Sequence, residues 1–273
     1  MLIGIILMTS TVSFTRNLYF KRGVVLKFIR LIQAGCLITG LSVAGSIALS
    51  PQHMEAQISQ ISSAVAQTVR RSDNLSSQDW WVDKVKSQAT QSQGKYYQNC
   101  LFGDSISSGL KDTLGKETTN FAMGGLSSVS LVTQLNYLRA AGVQCQQAII
   151  AIGTNDAWYV TRDDTFVANL KQCLALVRTL GATRVLLVPA FYSTLPASHD
   201  PTLAGTIQRV DEINSLLGSA AKAQNVDVVT NGLELLFKND ALKEELSYDG
   251  VHLNDKGNAI YRQFLLQVFQ NQP

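Results

Sequence analysis

The chain has 273 residues, 46% hydrophobic and 16% charged, which is enough for one α/β domain of ordinary size and an additional segment. Its formal charge of +3 belongs to the front. The first 50 residues hold five basic side chains (Arg16, Lys21, Arg22, Lys27, Arg30) and no acidic one; 23 basic residues less those five leave 18 against 20 acidic ones. A slightly acidic body does not recommend a nucleic-acid partner, which needs a basic surface on the folded domain itself.

Residues 1–50 read as a basic leader. The uncharged run "LIQAGCLITGLSVAGSIAL", 31–49, follows the basic stretch, the pattern of an export signal or of a membrane anchor with its basic end in the cytoplasm. Its 19 residues just reach the span of a bilayer. Ser46-Ile47-Ala48 offers a small-x-small cleavage site, whereas the long basic region favours an anchor, so both readings stand. Either predicts an extracytoplasmic protein, held to the membrane if the leader is not cleaved. Residues 51–96 turn polar, rich in Gln and Ser, with Ile58, Ile61, Val65 and Val69 at helical spacing, and read as a partly helical spacer. Trp80 and Trp81 are expected to dock onto the body.

Residues 97–273 form the body. "CLFGDS" predicts a strand ending at Ser105, and "SVSLVTQLNYLRAAG" a helix closing on Gly142. "QAIIAIGTND" predicts a buried strand, "DDTFVANLKQCLALVRTLG" a helix closing on Gly181, and "RVLLVPAFY" a further strand. "TIQRVDEINSLLGSAAKAQ", "VDVVT" and "NDKGNAIYRQFLLQVFQ" continue as helix, strand and helix. Continuously apolar strands separated by helices predict a parallel sheet covered on both faces. The working groups of such a sheet lie beyond the carboxyl ends of its strands, where Ser105, Asn155 and Asp156 fall.

Those residues suit acyl transfer, which needs a nucleophile, a base and donors for an oxyanion. Ser105 is the nucleophile candidate. His252, in "SYDGVHLNDKG", is the base candidate, because imidazole can take and return a proton near neutral pH. Asp249, three residues earlier, can fix its tautomer. The oxyanion donors are the amides of Ser105 and Gly125 and the side chain of Asn155. Asp104 and Asp156 read as turn and loop braces, and His199 as a solvated loop residue. No Gly-x-Ser-x-Gly elbow, phosphate loop or zinc spacing is found, and no metal or cofactor is expected. Cys100, Cys145 and Cys173 could form one disulfide, with no pairing assigned, or remain three buried thiols.

The blocks "FGDS", "NFAMGG", "GTND" and "DGVHL", in this order and spacing, resemble the four signature blocks of the SGNH hydrolases, also called GDSL lipases and esterases. The resemblance covers roughly residues 97–270. It implies an α/β fold of three layers, an α/β/α sandwich on a flavodoxin-like parallel sheet. It also implies a Ser105, Asp249, His252 triad with an oxyanion hole of Ser105, Gly125 and Asn155. The expected activity is a serine esterase acting on a small ester or acylated carbohydrate, with O-acetyl groups on extracytoplasmic polysaccharide and lipid esters as rival substrates. An O-acyltransferase using the same residues and a non-catalytic carbohydrate-binding module are the alternatives. The loop from Phe191 to Gly205 matches no pattern and leaves the substrate open.

Overall fold

A computed structural model describes residues 71–270. The apolar run 31–49 and the stripe from Ile58 to Val69 lie outside the described residues. Among the described residues no helix is long and apolar enough to cross a membrane.

Five strands form one parallel sheet: β1 (Tyr96–Gly103), β2 (Thr118–Asn120), β3 (Gln144–Ala151), β4 (Arg184–Val188) and β5 (Asp227–Val228). Their order is β2-β1-β3-β4-β5, a doubly wound arrangement in which β1 and β3 meet at the centre. The exposed starts and buried ends of β1 and β3 follow their sequences, polar in "YYQN" and "QCQQ" and apolar afterwards. The carboxyl halves are therefore clamped between layers, which fixes the ends that carry the site.

One face packs against α1 (Asp79–Gln91), α3 (Ser128–Ala140), α5 (Asp163–Thr179) and α7 (Ile207–Ala223), burying Phe102, Ile150, Leu131, Leu135, Phe166, Leu170, Ile213 and Leu217. The other packs against α8 (Asp255–Gln270) and the one-turn α2 (Ser105–Ser108), burying Leu101, Ile149, Val188, Tyr261, Phe264 and Leu265. Alternation along each strand sends consecutive residues to opposite faces, so Leu101 and Phe102 enter different cores. The result is the expected α/β/α sandwich.

The body begins earlier than the expected residue 97. Trp81 and Val85, on one side of α1, are fully buried in the first core, and Leu75 joins them. A buried indole of this kind contributes about 3–5 kcal/mol by comparison with alanine. Residues from Leu75 onward thus belong to the folded body rather than to a spacer, because the apolar side of α1 is long enough to need a partner. Cys100 on β1 and Cys145 on β3 form a disulfide with Cα atoms 6.0 Å apart, and Cys173 is a free, buried thiol. Two small elements escape the strand periodicity: β2, three polar residues at the sheet edge, and a separate antiparallel pair, β6 (Phe237–Lys238) with β7 (Ala241–Leu242).

Candidate active site

β1 ends at Gly103, and the chain turns at once into α2. Asp104 caps that turn, its carboxylate accepting from the Ile106 amide at 2.9 Å. Ser105 follows as the first helical residue, partly exposed at the carboxyl edge of the sheet. The His252 Nε2 atom lies 2.8 Å from Ser105 Oγ, and His252 Nδ1 lies 2.6 Å from Asp249 Oδ2. Asp249 Oδ1 also accepts from the amides of Val251 and His252, at 2.9 and 2.7 Å. The carboxylate therefore closes a tight local turn that aims the imidazole at the serine. Partial burial works to raise the Asp249 pKa, but the His252 amide and ring and the Val251 amide outweigh it and hold the carboxyl below its ordinary value. The Tyr248 ring stacks on His252 at 5.7 Å. The loop is anchored from beneath, where the Thr194 amide donates to the Gly250 carbonyl at 2.8 Å. The Phe191–Gly205 loop thus abuts the turn that leads into His252.

The oxyanion candidates gather through a second set of contacts. After β2 the chain runs on beside β1: the Phe121 amide donates to Leu101 O and the Met123 amide to Gly103 O, at 2.8 and 2.9 Å. This carries the segment leading to Gly125 along the last residues of β1, just before the serine turn. Gly125 has φ +76°, a conformation that side chains disfavour, and the space where its Cβ would sit is 3.5 Å from a Leu75 methyl. Among the described residues, neither the Ser105 nor the Gly125 amide donates to a protein acceptor. Asn155 donates from Nδ2 to Leu126 O at 3.0 Å, which leaves its second amide hydrogen for the site.

Gly153, at the end of the "AIIAIG" run, has φ +122°, and a Cβ there would lie 2.8 Å from Ala190 Cβ and 2.9 Å from Ile213 Cγ2. Only glycine permits the sharp exit into α4 (Thr154–Tyr159), the helix that carries Asn155. The predicted strand "QAIIAIGTND" therefore ends at Ala151, and its last residues turn helical.

Asp156 is fully buried and accepts from the Ser128 amide at 2.9 Å and the Ser128 hydroxyl at 2.6 Å, tying α4 to the start of α3. Burial pushes its pKa up to about 6 against these hydrogen bonds, and does the same at Asp104. A carboxyl raised in the folded state contributes stability below its unfolded pKa, and that contribution is lost as pH rises through about 6. Asp156→Asn stays neutral throughout. The Tm of the parent minus that of Asp156→Asn should therefore shrink between pH 4 and 7 in a thermal-melt series; a constant gap would show that Asp156 does not titrate there.

Two residues that brace the site had no role assigned from the sequence, although Asn120 opens the "NFAMGG" block. Asn120 donates from Nδ2 to the carbonyls of Ser107 and Lys111, at 2.9 and 3.2 Å, and accepts from the Ala122 amide, locking the serine turn to the next loop. Asp73 reaches the same region from far upstream. Among the described residues no cluster of His, Cys, Asp or Glu is placed to hold a metal ion. His199 is exposed at the end of α6 (Leu195–Ser198), consistent with a solvated loop residue.

A doubly wound parallel sheet that presents a serine, an imidazole and a carboxylate in hydrogen-bonded sequence at its carboxyl edge is suited to acyl hydrolysis. The chain belongs to the GDSL-like lipase/acylhydrolase family, whose model matches residues 90–260. No curated protein matches. Among solved structures, a GDSL-like lipase from Bacteroides thetaiotaomicron superposes with a TM-score of 0.58 at 16% identity, covering 69% of this chain and 96% of that one. A Streptococcus pneumonia protein named for platelet activating factor gives 0.58 at 16%, covering 78% and 99%. A catalytic mutant of an acetylxylan esterase from Geobacillus stearothermophilus gives 0.50 at 18%, covering 64% and 95%. The chain is thus a hydrolase with the fold of these enzymes.

Proposed function

We propose that this acylhydrolase is a serine esterase that removes short acyl groups, foremost O-acetyl groups, from extracytoplasmic carbohydrate. The observation that carries the mechanism is the unbroken chain from Asp249 through His252 to Ser105, at 2.6 and 2.8 Å. His252 Nε2 takes the Ser105 hydroxyl proton as Oγ bonds to the ester carbonyl carbon. The carbonyl oxygen becomes an oxyanion, held by the amides of Ser105 and Gly125 and by the free hydrogen of Asn155. Collapse of this intermediate breaks the bond to the alcohol oxygen, which leaves with the proton from His252. Water then repeats the sequence on the acyl-enzyme, releasing the acid and restoring Ser105. Asp249 keeps Nδ1 protonated and stabilises the imidazolium while it exists.

The basic leader with its apolar run 31–49, acting as export signal or anchor, supports placement outside the cytoplasm, as does the Cys100–Cys145 disulfide, since such bonds persist in oxidising compartments. A fold shared with an acetylxylan esterase is compatible with an acetylated sugar substrate. The test is kcat/KM across p-nitrophenyl esters from acetate to palmitate. Acetate should be preferred by about tenfold or more over the longest chains, since each tenfold step needs only ~1.4 kcal/mol of differential transition-state binding. A preference for palmitate would reassign the substrate to lipid esters.

A further inference from the structure

Gly125 sits in a loop held from two sides. From one side come groups within the family-matched stretch: Asn155 holds Leu126 O, Asp156 holds Ser128, and the Tyr159 hydroxyl donates to Gly125 O at 3.4 Å. From the other side comes a strap, residues 71–75, that lies upstream of that stretch.

The strap's chemistry is specific. Ser127 and Ser130 form a capping box at the start of α3, the Ser127 hydroxyl accepting from the Val129 amide and the Ser130 hydroxyl from the Ser127 amide. Each hydroxyl still has a proton to place. Both go to one atom, Asp73 Oδ2, at 2.6 Å for Ser130, and the Ser130 amide adds a third donor at 3.2 Å. Asp73 Oδ1 meanwhile accepts from the Leu75 amide at 2.9 Å. That bond turns the strap so that a Leu75 methyl fills the space beside the Cα of Gly125. Further back, the Arg71 guanidinium lies 4.8 Å over the Trp158 ring and donates to Pro201 O, fastening the strap to the Phe191–Gly205 loop. A carboxylate receiving three donors from one loop fixes that loop more firmly than neutral acceptors would, because hydrogen bonds to an ionised group are the stronger kind.

We propose that Asp73 is a positioning residue of the esterase, which sets the Gly125 amide for the oxyanion through Ser127, Ser130 and Leu75. The inference rests on the oxyanion role of Gly125 proposed above. It makes the upstream strap a working part of the site rather than a connector.

The test compares the full-length parent with Asp73→Ala, Asp73→Glu and Leu75→Ala on p-nitrophenyl acetate, below the melting temperature of each variant. Asp73→Ala should lower kcat by about 10- to 100-fold, the scale on which a misplaced group slows a reaction, with KM within about threefold of the parent. Asp73→Glu, which keeps the charge on a longer stem, should recover part of kcat, and Leu75→Ala should lower it by a smaller factor. A folded Asp73→Ala with parental kcat overturns the proposal, as does a loss confined to Tm. If Asp73→Ala does not fold, Leu75→Ala decides: parental kcat in that variant overturns the proposal. Ser105→Ala is the control. If it retains activity, the serine mechanism itself is wrong; if it is inactive while Asp73→Ala is parental, only the strap proposal falls.

Discussion

Replacing Ser105 with alanine is expected to lower kcat/KM on an aryl acetate by about 10⁴-fold or more, while leaving the fold intact. The substitution removes the atom that bonds to the carbonyl carbon. His252 and Asp249 then have no proton to relay, so their removal on top of Ser105→Ala should add little, as for groups that act as one unit. Stability should change little, because Ser105 is only partly buried and its hydroxyl bonds to a ring that can turn to water. Asp104, not Ser105, holds the turn. Circular dichroism melting of the variant beside the activity assay separates the two effects. A folded Ser105→Ala protein that cleaves at the parental rate would remove the serine mechanism.

The second large effect concerns stability. Cys100 and Cys145 close a loop of 45 residues between the two central strands. Cross-linking a loop of that length is worth about 4 kcal/mol when counted as entropy removed from the unfolded chain. In a domain of this size, that corresponds to roughly 8–16 °C in Tm. Melting with and without a reductant strong enough to open the bond should show this drop, and Cys100→Ala/Cys145→Ala should show it without reductant. An unchanged Tm in both would mean that the cross-link contributes nothing. The site should survive mild reduction at low temperature, since β1 and β3 remain paired along seven registered positions without the bond.

The layout of the sheet was legible because continuously apolar runs between amphipathic helices permit few alternatives. The site was legible for a different reason. Each chemical group sits in a short stretch whose neighbours are constrained locally: Asp104 caps the turn before Ser105, Gly153 permits the exit before Asn155, and Asp249 closes a turn onto His252. Those constraints act over three residues or fewer and leave a pattern in the chain. Asp73 left none, since its partners are 54 and 57 residues away and its own surroundings, "RSDNLSS", read as a polar connector. The same distance hid the choice of Cys145 over Cys173, whereas Trp81 docks in the core as expected and Trp80 stays exposed. β2 escaped because an edge strand of three polar residues pairs through its backbone and shows no periodicity.

Cys173, the unpaired cysteine among the described residues, bears on how the chain reaches this structure. Three cysteines follow the leader and allow three single cross-links, of which one is native. In the finished fold Cys173 is inert: it is fully buried, and burial pushes its thiol far above the ordinary range, so that almost no thiolate forms. No such protection exists in a newly made chain, where all three thiols compete. Oxidation that outruns the assembly of β1 beside β3 would trap Cys173 in a wrong pair and bar its helix from the core. The yield of active enzyme from refolding should therefore depend on a redox buffer or an isomerase that lets mispaired chains exchange.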